Sequence, residues 1–196
     1  MRTFNDQMAA LYAEMQDAYD RVRAHYGFSC EGCAENCCTQ RFLHHTMAEY
    51  RYLLHGLREA DPALVRRIMT RAREAMHAYA REEASGEPEE VICPANEGGL
   101  CTVYAHRPMI CRMHGLPHRF RRPDGREERG GGCGPFVDAT PKADWSVNRT
   151  GLYQALARME RDLRRTGRHA GSMSTAAMLV DMWERDEGIR AIMEAR

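Results

Sequence analysis

No stretch of this chain approaches the roughly 18 consecutive apolar residues of a membrane-spanning helix, and Lys plus Arg equal Asp plus Glu at 28 each. The first absence argues against a helical membrane protein. The second removes any net field that would draw the whole molecule to nucleic acid or to an anionic bilayer. The opening residues MRTFNDQMAALYAEMQDAYDRVRAHY hold no continuous apolar stretch and are interrupted by acid from Asp6 onward, so neither a secretory signal nor a transit peptide is expected. Also lacking are a G-x-G-x-x-G turn, a P-loop, a nucleophile elbow and an H-E-x-x-H helix, so catalysis has no motif of its own. Internal repeats and low-complexity tracts are missing too. The expectation is a cytoplasmic protein of 196 residues, read as a single domain over 1–196, long enough to bury an apolar core without disulfide help.

What is present is helical periodicity at both ends. Phe4, Met8, Leu11, Tyr12, Met15, Tyr19, Val22 and Tyr26 recur at three and four, which predicts an amphipathic helix closed by Gly27. A second helix is expected from a cap at Thr39, with Leu43, Met47, Tyr50, Leu54 and Leu57 facing inward. Asp61-Pro62 opens a third, carrying Leu64, Val65, Ile68, Met69, Ala72, Met76 and Tyr79, and Gly86 and Pro88 close it. Two more are expected over 147–165, with Leu152, Leu156, Met159 and Leu163, and over 174–194, with Leu179, Met182, Trp183, Ile189 and Ile192. Between them, over 87–143, the periodicity disappears and Gly and Pro dominate; "CTVYA" reads as a short strand and "RRPDGREE" as a hairpin turn. The fold class is therefore mainly α, a helical bundle with a long irregular cysteine-rich segment and one short hairpin. The cysteine-bearing core covers about 28–135, flanked by helical extensions 1–27 and 144–196.

All eight cysteines fall in the irregular regions, and none on a predicted helix face. Cys30, Cys33, Cys37 and Cys38 crowd into nine positions, while Cys93, Cys101, Cys111 and Cys133 are spaced by 7, 9 and 21 residues. In a reducing compartment such clustering points to metal or redox chemistry before disulfides. Thiolates are soft ligands for zinc and iron, and a C-x2-C turn such as Cys30 to Cys33 lets two sulfurs meet one centre. Adjacent side chains diverge by about 100° in a helix and nearly 180° in a strand. Cys37 and Cys38 therefore fit a polynuclear cluster, or two sites sharing ligands with the later cysteines, better than one mononuclear ion. A tetrathiolate centre carries net negative charge in either metal form, and Arg107 and Arg112, flanking Cys111 in "HRPMICR", are candidates to offset it.

The segment "CEGCAENCC", followed 54 residues later by "CPANEGGLCTVYAHRPMICR" and then by Gly132-Cys133, resembles the YkgJ-type cysteine-cluster family, described as zinc- or iron-chelating domains. The resemblance spans about residues 28–135 and implies all eight cysteines as metal ligands, with Pro94, Tyr104, Arg107, Pro108 and Arg112 as accompanying residues. Tyr104, Arg107 and Arg112 would surround the bound cofactor. Relatives commonly follow C-R with an aromatic residue and proline; here Met113, His114 and Gly115 follow. The same kind of domain occurs in flagellin lysine N-methylases, which implies an iron–sulfur centre serving protein modification in some relatives.

Two functional classes stay open at this point. One is a metal-binding protein whose thiolate cluster, iron–sulfur in preference to zinc because of the scattered ligands, is structural or handles electrons or metal. The other is an iron–sulfur-dependent protein-modifying enzyme or accessory similar to flagellin lysine N-methylase. Metal ions are the expected partners, with room for a protein partner or substrate and none for a membrane. His44, His45, His106 and His114 stand near the thiols as further ligands or as hydrogen-bonding support. Arg119, Arg121 and Arg122 around Phe120 could meet phosphate, but Asp124, Glu127 and Glu128 follow at once, so nucleic acid is disfavoured.

Overall fold

The computed structural model describes residues 2–29, 33, 35–44, 46–164 and 172–195. In chain order its elements are α1 (Phe4–Tyr26), β1 (Leu43–His44), α2 (Met47–Glu59), α3 (Pro62–Ser85), β2 (Asn96–Glu97), β3 (Leu100–Cys101), α4 (Met109–Arg112), β4 (His118–Arg121), β5 (Glu127–Gly130), α5 (Gly134–Ala139), β6 (Val147–Asn148), α6 (Thr150–Arg164), β7 (Met173–Ser174), α7 (Thr175–Arg185) and α8 (Glu187–Glu194). Single tight turns lie at Cys37–Thr39 and Tyr104–His106. Helix predominates, as the periodicity requires. The chain groups into two compact units, each discontinuous in sequence: Met1–Cys37 with Met109–Arg168, and Cys38–Pro108 with His169–Arg196.

In the first unit α1 packs against α4, β6 and α6. Its start is a capping box, since Thr3 Oγ1 accepts from the Asp6 amide at 3.1 Å and Asp6 accepts from the Thr3 amide at 2.9 Å. Gly27 ends it at φ 61°, a left-handed residue where a side chain would be strained. The buried face is Met8, Leu11, Tyr12, Met15, Tyr19 and Val22, as the spacing predicts. Strands β5, β4 and β6 form a small sheet, β4 antiparallel to β5 and parallel to β6. The expected hairpin turn is there: the Gly125 amide donates to the Arg122 carbonyl at 2.9 Å and Asp124 accepts from the Arg126 amide at 3.0 Å. Several of its arginines are met by carboxylates, with Arg122 to Glu128 at 3.2 Å, Arg119 to Glu127 at 3.9 Å and Arg129 to Glu127 at 2.6 Å. The basic run therefore sits in a charge-paired ribbon.

In the second unit α3 packs on α7 and α8, with α2 against α8. Asp61 caps α3 by accepting from the Ala63 and Leu64 amides at 2.8 and 3.0 Å, and Pro62 supplies a helical φ in the first turn. Val65, Ile68, Met69 and Ala72 are fully buried, each large side chain contributing about 1.5–3 kcal/mol of transfer free energy.

Three helix boundaries differ from expectation. The helix expected over 147–165 begins only at Thr150, because Val147 and Asn148 pair with His118 and Arg119 as β6. α2 begins at Met47, not near Thr39, because residues 43–44 pair with Ser174 and Met173 as a short antiparallel ladder. Thr46 is the actual cap, accepting from the Glu49 amide at 3.2 Å while its hydroxyl donates to the Glu49 carboxylate at 2.6 Å. Leu43 is accordingly half exposed instead of facing a core. The last predicted helix is two: Asp186 stops α7 in an extended conformation and caps α8 by accepting from the Ile189 amide at 3.0 Å. "CTVYA" holds only the end of a strand, β3, before the chain turns at Tyr104–His106.

Candidate metal centre

The seven described cysteines are all thiols, with no disulfide among them; Cys30 lies outside the described residues. The boundary between the units falls between the adjacent pair, Cys37 belonging to the first and Cys38 to the second.

Within the first unit, glycines and backbone bonds decide where the thiols lie. Cys133 occupies the cap position of α5, and its amide donates to the Gly115 carbonyl at 3.1 Å, four residues beyond Cys111 on α4. Gly132 is required for this approach: its φ is 101° and a Cβ there would lie 2.7 Å from the Gly115 oxygen. The Gly132-Cys133 pair in the sequence thus has a steric reason. The first cysteine loop reaches the same neighbourhood, since a Cβ on Gly134 would meet the Glu35 carboxylate at 3.0 Å. Asn36 Nδ2 donates to the Cys33 carbonyl at 3.2 Å and folds that loop on itself. Phe136, fully buried, anchors α5 edge-on to Tyr26 and Phe28, with ring centroids 5.2 and 5.1 Å away.

His114 lies in this region, and its pKa is lowered, chiefly by burial; a hydrogen bond with the Glu35 backbone opposes the shift and the Arg149 charge adds to it. A neutral imidazole is the form that ligates metal. Arg112, beside Cys111, is only 5% exposed; its Nη1 donates to Gln16 Oε1 at 3.2 Å and its guanidinium lies 4.7 Å from the Tyr12 ring centre. Its charge is thus bound into the α1 interface. Arg149, which sequence reasoning passed over, is equally buried and donates to the Met113 carbonyl. Burial lowers its pKa, with Tyr153 and Tyr19 opposing.

Within the second unit the early and late cysteine motifs meet. The Cys93 amide donates to the Cys38 carbonyl at 2.8 Å, and the Cys93 carbonyl accepts from the Asn96 amide at 2.9 Å. Asn96 in turn pairs with Cys101 across the β2–β3 hairpin. Gly98 and Gly99, at φ 58° and 86°, make the tight connection. α3 grips this hairpin: Arg67 reaches Glu97 at 2.9 Å, and Arg71 reaches Glu97 and the Asn96 carbonyl at 2.9 and 3.0 Å. Those bonds, the Arg67 bond foremost, hold the Glu97 carboxyl below its usual range. Tyr104 and Arg107 stack on one another, the guanidinium carbon 3.7 Å from the ring centre, with Tyr104 half exposed. A cation that the sequence reading overlooked, Arg41, lies 3.9 Å over the ring of Tyr79. The pKa of the Tyr79 hydroxyl is raised mainly by burial, with Arg41 opposing and Cys93 adding.

Among the described residues, one group of three metal-ligand types has all its donor atoms within 4.8 Å of one another: His55, Glu59 and His106, all in the second unit. His106 was nominated from sequence; His55 and Glu59 were not. Their signal was a histidine four residues before a glutamate on one helix face, which is common enough on solvated helices to carry little weight alone. His45 lies outside the described residues, and His44 contributes backbone to β1.

Comparison of the chain with protein-family models, curated proteins and solved structures gives no match. No helix among the described residues is long and apolar enough to cross a membrane.

Proposed function

We propose that the chain is a metal-binding protein whose cysteine thiolates hold iron–sulfur or zinc, with iron–sulfur preferred, in a structural, electron-transfer or metal-handling role. The observation that carries this reading is the backbone bond from the Cys93 amide to the Cys38 carbonyl, which joins the first cysteine motif to the later one. It is supported by the steric device at Gly132, which sets Cys133 beside the segment that follows Cys111, and by the YkgJ-type motif pattern. The seven described cysteines form no disulfide with one another, and thiolates are the donors that soft metals prefer. Metal binding would then contribute directly to the order of the loops between helices.

Anaerobic purification followed by elemental analysis tests this. The expected result is stoichiometric iron with acid-labile sulfide and a broad visible absorption that bleaches with dithionite. Colourless protein with stoichiometric zinc would select the zinc form. Protein that retains neither metal, and takes up neither on anaerobic reconstitution, would reject the proposal.

A further inference from the structure

His55, Glu59 and His106 form a constellation of a different chemical kind from the thiols. Four residues apart near the end of α2, His55 and Glu59 project from the same face, with Nδ1 3.6 Å from Oε1. His106 is brought to them by the turn at Tyr104–His106, whose last amide donates to the Val103 carbonyl at 2.9 Å. Its ring lies 4.7 Å from that of Tyr52 and meets the His55 ring nearly at right angles, centroids 5.6 Å apart.

What lets the second imidazole come so close is Gly56. A Cβ there would stand 2.4 Å from His106 Cγ and Nδ1 and 2.9 Å from its Cβ. Turning the side chain carries Cγ and Nδ1 away but leaves its Cβ, at 2.9 Å, where it is, so a Cβ at position 56 would force the ring to swing out and its backbone to give. A glycine in a helix interior costs about 1 kcal/mol relative to alanine, and here it makes room for a ligand-type side chain. An ordinary surface ion pair between His55 and Glu59 would need neither the glycine nor the second histidine.

We propose that these three residues bind a divalent transition-metal ion of the zinc class through two imidazole nitrogens and one carboxylate, independently of the cysteines. Tetrahedral zinc with bonds of about 2.0–2.1 Å sets its ligand atoms roughly 3.3 Å apart. The His55 to Glu59 spacing is near that value already, and the remaining contraction from at most 4.8 Å is within the reach of small side-chain rotations. Two nitrogens and one carboxylate oxygen form the three-ligand set that leaves zinc an open coordination position. The exposure of the His55 and Glu59 side chains, 30% and 63%, keeps that position accessible to solvent. The negative end of the α2 dipole favours a cation at the same place.

The test uses the full chain with its cysteine-held metal in place, titrated anaerobically with Zn2+ alone. Wild type should bind one further equivalent, with the imidazole nitrogen resonances of His55 and His106 shifting together. Glu59→Gln, on an exposed side chain and so compatible with folding, should weaken that equivalent by roughly tenfold or more. Gly56→Ala should abolish it by displacing His106. In both variants the cysteine-held metal content should stay at its wild-type value. Unmoved imidazole resonances at saturating Zn2+, or an extra equivalent retained at full affinity in Glu59→Gln, would overturn the proposal. Loss of thiolate metal with the imidazole response intact would count against the cysteine reading alone.

Discussion

Gly132 and His118 illustrate how much depends on single side chains in the first unit. Gly132 combines a φ of 101° with a contact that admits no Cβ, so Gly132→Ala should cost about 1–3 kcal/mol in strain. It should also lower bound metal by moving Cys133, both readable from a thermal melt paired with elemental analysis. An unchanged Tm would show that the Gly115 contact is not tight in solution. His118 is pushed down to about 4, first by burial and then by the Arg149 charge, with a Leu116 backbone hydrogen bond opposing. Its ring also fills the space over Gly130, where a Cβ would fall 2.4 Å from Cε1. The unfolded chain, with an ordinary histidine near 6.5, binds more protons than the folded one between those values. Stability from this group is therefore full above pH 6.5 and is lost as pH falls toward 4. Melts at pH 7.5 and 5 should show a larger drop in Tm for wild type than for His118→Gln; equal drops would refute the assignment.

At the scale of elements, caps decided what periodicity could not. The cap at Asp61 was read from the sequence because it stands with Pro62 immediately before an unbroken apolar stripe, whereas the capping box at Thr3 emerged only in the fold. Thr46 with Glu49 was equally readable, yet the earlier Thr39 with Leu43 suggested a longer helix; the pairing of β1 with β7, over a hundred residues away, overruled it. Asp186 is the other instance. It caps α8 while accepting from Arg58 Nε at 3.3 Å and from the same guanidinium through Nη2. Although burial raises its carboxyl, the Arg58 bond and the Ile189 amide outweigh this and leave the pKa below its usual range. Asp186→Ala should cost about 1–2 kcal/mol, mostly from the lost cap, measurable as a lower urea midpoint with unchanged slope. Asp186→Asn, which keeps the cap, should recover most of it.

For the molecule as a whole, the division of the chain into two units, each discontinuous in sequence, is the feature that no local pattern announces. Residues 87–135, one irregular segment in sequence, are divided at Pro108, the earlier part joining α2 and α3 and the later part α1 and α6. If the thiols hold metal as proposed, its removal should affect both units, since each carries cysteines. Under anaerobic chelation, hydrogen exchange should speed up at the Cys93, Thr102 and Cys133 amides, each bonded across loops, while the buried centre of α3 stays protected. Exchange at those three amides unchanged by chelation would show that the loops hold their order without metal.

Helix content, most core faces and the hairpin at Asp124-Gly125 were legible in the linear chain, because each depends on neighbours within one or two turns. The true start of α2, the division of the Cys37-Cys38 pair and the meeting of His106 with α2 over Gly56 were not. These depend on backbone pairing and steric clearance between segments remote in sequence, and only the folded chain brings such segments into contact.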